Sequence, residues 1–290
     1  MMPIVWILIA ITFGVAIFIV ALFRISAIGI RLRYKDSAHI IPDLPYVSGS
    51  LNPKQRLDVY VPKHPSAPFP MVVFVHGGFW IKGDKNYHQW LLGVYANIGL
   101  VFAHFGIGTA VISYRLGPEV GIADQLSDVS AAKHYVREHA HDWGANNRLF
   151  MMGHSAGAHI VTLLFLRDPL GVDGCIALSP VLDIATMAEG KGARFNEYIT
   201  YPVFGREPAA WADYSPYGEL YRSKAPLDPL HIFVAEHDLS YIKQPALSLH
   251  HLHVQSVPRI NHTLMVTAFG KPSNRIAQDV VAIIQSKNMV

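Results

Sequence analysis

The stretch LFMMGHSAGAHIV, Leu149 to Val161, decides how this chain is read. It begins as a continuous apolar run, narrows to Gly153-His154-Ser155-Ala156-Gly157, and resumes with the spacing of an amphipathic helix. A strand that turns sharply into a helix needs small residues on both sides of the turn, because the two backbones approach closely there. Two readings follow. Either a tight turn contains a serine by chance, or the turn serves to hold Ser155 out at the head of a helix. The first N–H groups of such a helix have no intrahelical acceptor and face whatever the hydroxyl meets.

Working outward, the same strand character recurs in MVVFVH (71–76), TAVISY (109–114), CIALS (175–179) and LHIFVAE (230–236). These are short apolar runs of the kind buried on both faces of a parallel sheet. RLDVYVP (56–62) alternates like a half-buried strand. Helical spacing fills the intervals at about residues 90–105, 122–139, 156–167, 241–254 and 274–286. Strand and helix in alternation imply right-handed crossovers and a mostly parallel sheet flanked by helices, an α/β architecture. Residues 184–212 break the rhythm, with Gly, Pro and aromatics but no long apolar run. They read as a short cap-like insertion over the carboxyl edge of the sheet, where open α/β sheets bind ligands, or as a long surface loop.

With 290 residues the chain can bury one large domain. The first 24 residues carry no charge before Arg24, long enough for a transmembrane helix. They lack the basic start and small-residue cleavage site of a signal peptide. Arg24, Arg31, Arg33 and Lys35 follow the run, which by the positive-inside tendency predicts a single-pass membrane protein with its main domain facing the cytoplasm. The expected division is an anchor and basic flank at 1–33, a Pro/Gly/Ser-rich linker at 34–55, and the main domain at 56–290. A net charge of +3, with its basic excess beside the run, suits the lipid bilayer rather than nucleic acid. The single Cys175 cannot form an internal disulfide.

A serine hydroxyl needs a general base, and acyl transfer needs donors for an oxyanion. VHGGFW (75–80) ends a strand with two glycines. The N–H groups of Gly77 and Gly78, with that of Ala156 directly after the serine, are candidate oxyanion donors. Asp238 follows one apolar strand, and His262 lies in the loop after the next. The order Ser155, Asp238, His262 fits a nucleophile, orienting acid and base gathered at strand ends. Asp183 and Glu236 compete for the acid's role. Trp80 and His154, beside the glycine loop and the serine, are candidates to touch substrate; Trp211 either lines a pocket or packs. His250 and His253 would share a helix face, but no Asp, Glu or Cys completes a metal set, and His134, His139 and His141 are explained by a helix C-terminus. No metal or organic cofactor is expected.

From about Arg56 onward the chain resembles the α/β-hydrolase esterases of the carboxylesterase/lipase type. The matching segments are HGGFW with KGD, SYRLGPE (113–119), QLSDVSAAKHYV (125–136) and GHSAGAH (153–159). HGG-aromatic-Trp and GHSAGAH are similar to the small-ester, arylformamidase and prenylcysteine-methylesterase-like branch. The resemblance implies Ser155 as nucleophile, Asp238 and His262 as its partners, and Gly77, Gly78 and Ala156 as oxyanion donors. RINHTLMV departs from the pattern usual around the base. The expectation is a membrane-anchored serine hydrolase cleaving a small or lipid-like carboxylic ester through an acyl-enzyme. The alternatives are an arylformamidase-type amide hydrolase, an acyltransferase, or a catalytically silent hydrolase fold that binds a ligand.

Overall fold

A computed structural model describes residues 27–86, 93–223, 227 and 229–286. Eight strands form one sheet in the order β1-β2-β4-β3-β5-β6-β7-β8. They are β1 (Ala38–Pro45), β2 (Arg56–Pro62), β3 (Phe69–Val75), β4 (Gly108–Ile112), β5 (Ala145–His154), β6 (Gly174–Leu178), β7 (Leu230–His237) and β8 (His253–Asn261). The pairs β1·β2 and β2·β4 are antiparallel, and every pairing from β4 to β8 is parallel.

The apolar runs are strands because their two faces serve two cores. On β3, Met71, Val73 and Val75 enter one core while Val72 and Phe74 enter the other. Leu149 and Met151 oppose Phe150 and Met152 on β5 in the same way, as do Cys175 and Ala177 against Ile176 and Leu178 on β6. A period of two with both faces apolar is what a central parallel strand requires. Truncating one of the larger of these side chains, such as Met71 or Leu149, to Ala costs about 2–5 kcal/mol.

The flanking helices are α1 (residues 27–34), α2 (Ala96–His104), α3 (Ile122–His139), α4 (Ala156–Arg167), α5 (Ile184–Lys191), α6 (Ser240–Ser248) and α7 (Ile276–Gln285). Between α5 and β7, residues 193–222 run as short helical turns, so the expected insertion is helical. The stretch expected as one helix at 241–254 divides. α6 ends at Ser248, and His253 and Val254 pair with His231 and Ile232 as the start of β8. His250 and His253 therefore share no helix face, and the His253 ring stacks on His231.

Two expectations for the N-terminal part are corrected. The stretch expected as a linker contains β1, an edge strand. The expectation of a single-pass membrane protein, with the bilayer as partner and a cytoplasm-facing domain, is not supported: among the described residues no helix is long and apolar enough to cross a membrane. The longest described helix, α3, is two-sided, with Leu126, Val129, Ala132 and Val136 inward and Asp124 and Arg137 at its ends. The apolar run at 1–24 lies outside the described residues. Residues 27–34 are packed on the domain: Ala27, Ile30 and Tyr34 of α1 are buried, Asn97 donates to the Ala27 carbonyl, and the Tyr34 hydroxyl donates to the Gly270 carbonyl.

Candidate active site

β5 ends at His154 and α4 begins at Ala156, so Ser155 alone makes the turn. Its backbone lies at φ 55° and ψ −118°. For a non-glycine residue that conformation costs on the order of 1–3 kcal/mol, and surrounding contacts must over-determine it. They do. The Ser155 N–H donates to Leu178 at the end of β6 (2.9 Å), and its carbonyl accepts from the His159 N–H (2.9 Å). A Cβ at Gly157 would lie 2.2 Å from the Val75 carbonyl oxygen, and one at Gly153 would lie 2.4 Å from that of Gly157. The two glycines are there because strand and helix backbones touch. Ala156 is the first residue of α4, so its N–H has no intrahelical acceptor.

The loop after β3 lies directly against this turn. A Cβ at Gly77 would meet the His154 carbonyl oxygen at 2.9 Å and Ser155 Cβ at 3.1 Å. Gly78 (φ 128°), Phe79 (φ 53°) and Trp80 (φ 61°) follow in left-handed backbone. The segments that carry the resemblance brace this loop. Tyr114 donates its hydroxyl to the His76 carbonyl (3.1 Å), and the Gln125 side-chain amide and the Gly117 N–H both donate to the Trp80 carbonyl. Arg115 reaches Asp128 through several hydrogen bonds, which ties the loop after β4 to α3.

The candidate acid and base, Asp238 and His262, come from the far side of the sheet. His262 Nδ1 donates to Asp238 Oδ1 at 2.9 Å, with the Asp238 side chain fully buried and that of His262 20% exposed. Asp238 also accepts from Leu239 N–H on Oδ1, and from Ala235 N–H and the Ser179 hydroxyl on Oδ2. Burial pushes the Asp238 carboxyl pKa upward, but hydrogen bonding and charge from His262, with the further donors, outweigh it and hold it below its ordinary value.

His154 completes the connection. Its Nε2–H donates to the His262 carbonyl (3.0 Å), and the two rings lie 4.7 Å apart. Because Nε2 carries the proton, Nδ1 is a bare acceptor; it is buried without a partner beside Gly77. Burial drives the His154 pKa down to about 3, so the ring is neutral at ordinary pH. A closed circuit results: Ser155 to Leu178, through the chain to Ser179, then Asp238, His262, His154 and back to Ser155.

The other candidates fall elsewhere. Asp183 caps α5, accepting from the Ala185 and Thr186 N–H groups. Glu236 is exposed and accepts from the Arg259 N–H. Trp80 is fully buried, its indole N–H donating to His159 Nδ1 (3.2 Å), so it packs behind the loop and offers a ligand no surface. His159 in turn donates Nε2–H to the Tyr214 carbonyl, and burial lowers its pKa to about 4. Trp211 is also buried, bonded to Gly205. His154 is a buried bridge between loops. A cavity of about 750 Å³ lies beyond α4 among residues such as Arg167, Tyr214 and Tyr217, and Ser155, Asp238 and His262 do not line it. Sequence reasoning missed Ser179. Its signal was present, a small hydroxyl residue ending the apolar run CIALS, but its partner lies 59 residues away.

Residues 57–171 match the BD-FAE family model. An isoprenylcysteine alpha-carbonyl methylesterase of Arabidopsis thaliana is 36% identical over 117 residues, 40% of this chain and 26% of that protein. Kynurenine formamidase of Salmo salar is 26% identical over 137 residues, 47% of this chain and 42% of its own length. The chain thus spans well under half the length of these curated relatives. An esterase from the archaeon Pyrobaculum calidifontis superposes with a TM-score of 0.69 at 18% identity over 93% of each chain. A truncated carbohydrate esterase from gut microbiota gives 0.71 at 16%, over 86% of this chain and 96% of that one. Sheet order, serine turn and superpositions agree that the chain has the α/β-hydrolase fold. Within it, the proteins it is similar to are esterases and a formamidase.

Proposed function

We propose that this protein is a carboxylic ester hydrolase working through an acyl-enzyme on Ser155. The observation that supports it most is the hydrogen-bond circuit, in which His262 is bonded to Asp238 on one side and to the neighbour of Ser155 on the other. Ser155 Oγ attacks the ester carbonyl while its proton passes to His262 Nε2. Asp238 holds the Nδ1–H tautomer and stabilises the imidazolium. The N–H groups of Gly77, Gly78 and Ala156 take the oxyanion; loss of one such donor costs about 3–4 kcal/mol of barrier stabilisation. His262 returns the proton to the leaving alcohol, and water then repeats the sequence to release the acid. The substrate is a small-molecule ester, consistent with the named activities of the similar proteins. The similarity to kynurenine formamidase supports a second reading, cleavage of an arylformamide C–N bond by the same groups.

The test is hydrolysis of p-nitrophenyl acyl esters and of an aryl formamide by the full chain, beside Ser155→Ala and a fluorophosphonate label. Turnover and labelling that vanish together in Ser155→Ala support the proposal. A folded wild-type protein with neither would leave a silent scaffold.

A further inference from the structure

Lys191, the last residue of α5, holds its ammonium over three aromatic rings. It lies 5.1 Å from the Tyr241 centroid, 5.6 Å from Phe195 and 5.8 Å from Phe79. The three rings come from three separate segments of the chain. Phe79 follows Gly78 in the loop proposed to bind the oxyanion, Phe195 lies in the insertion and meets Phe79 edge to face, and Tyr241 stands three residues after Asp238. Among the described residues Lys191 forms no ion pair. Ring faces attract a cation but do not neutralise it, and Lys191 is half-buried, so part of it faces solvent.

A second, independent feature points the same way. The Tyr241 hydroxyl is buried and has no hydrogen-bond partner, although a buried phenol ordinarily finds one. Burial, and after it the charge of Asp238, push its pKa up to about 12, so it remains a donor. An unpaired ammonium and an unsatisfied hydroxyl lying at one aromatic wall are the donor set for an anionic oxygen group.

We propose that Lys191 and Tyr241 form an anion subsite beside the reacting centre, selecting esters that carry a carboxylate elsewhere in the molecule. The proposal rests on the hydrolase reading and narrows it to a substrate class. The carboxylate can belong to the acyl chain or to the leaving group. The rings of Phe79 and Phe195 bed the hydrocarbon or aryl portion between the carboxylate and the ester.

The experiment compares charged and neutral partners within each variant. One arm uses the mono-p-nitrophenyl ester of glutaric acid against p-nitrophenyl pentanoate, with the charge on the acyl side. The other uses 4-acetoxybenzoate against 4-acetoxybenzamide, with the charge on the leaving group. In the wild type, kcat/KM for the charged partner exceeds that for the neutral one by about tenfold or more in one arm, and that arm identifies the side. The ratio collapses towards one in Lys191→Met, falls partly in Tyr241→Phe, and is retained in Lys191→Arg. Equal ratios in wild type and Lys191→Met overturn the subsite while leaving the hydrolase reading intact. If no ester of either arm turns over, the hydrolase reading fails, and binding of glutarate by saturation-transfer NMR decides the subsite. Binding that Lys191→Met abolishes upholds it; binding that is absent, or unchanged in the variant, overturns it.

Discussion

His154 donates its Nε2–H to the backbone carbonyl of His262 at 3.0 Å, so the residue preceding the serine holds the loop that carries the histidine. The same ring lies against Gly77 and spaces the glycine loop from the histidine loop. His154→Phe keeps the volume but loses the donor. We expect kcat on a p-nitrophenyl ester to fall by about 10- to 100-fold with KM little changed, because a small displacement of His262 in its proposed role as base costs that much. His154→Gln, which restores an N–H donor, recovers part of the loss. Unchanged kcat in His154→Phe, with a fall only in His154→Gln, would assign the ring a packing role only.

Asp238→Asn tests the role proposed for Asp238 directly. Its amide cannot hold the His262 tautomer as a carboxylate does, and kcat falls by roughly 10⁴-fold in comparable arrangements. The same variant has a pH signature. The folded-state pKa of Asp238 is depressed, so its contribution to stability is present above the unfolded value near pH 4 and is lost as pH falls through the folded value. Denaturant midpoints of wild type and variant therefore converge as pH drops below about 4. A gap that stays constant down to pH 2 would contradict this.

Gly157→Ala introduces a Cβ that meets two backbone carbonyl oxygens, Val75 at 2.2 Å and His76 at 2.5 Å. Backbone cannot rotate away as a side chain can. The expected destabilisation is about 3 kcal/mol or more, read from urea unfolding. Gly77→Ala meets its nearest atoms at 2.9–3.1 Å and is expected to cost less stability while still displacing the serine turn.

Lys85→Met addresses the support beneath the glycine loop. Lys85 and Asp58 are both almost fully buried and pair at 2.7 Å, and the Lys85 N–H bonds the Ser113 hydroxyl. Removing the ammonium takes the charge partner from a buried carboxylate that keeps the Asp43 N–H, which costs up to about 3–5 kcal/mol. A thermal melt shows this as a large fall in Tm. The double variant Lys85→Met, Asp58→Leu regains much of it, because removing both charges removes the desolvation penalty as well.

Much of this protein was legible along the chain. Continuous apolar runs such as MVVFV and CIAL mark strands buried on both faces, since only a side chain with a core on either side is apolar at every position. Gly153 and Gly157 around Ser155 mark a turn in which two backbones touch. These are local requirements, met by neighbours a few residues apart. The β8 strand was harder to read, because Pro258 and its polar residues belong to an edge strand with little core to face.

What the tertiary structure decided were the pairings between distant residues. Asp183 and Asp238 both follow apolar strands, yet one is spent on a helix cap while the other meets His262. That choice depends on β7 and β8 lying side by side in one register, which no local pattern encodes. Ser179 bonds Asp238 across 59 residues, and His154 reaches His262 across 108. Trp80, placed by its position beside the glycines as a candidate for substrate contact, is fully buried because α4 and the insertion close over it through His159 and Phe204. Residue type and spacing determine which groups are available; the packing of layers determines which of them meet.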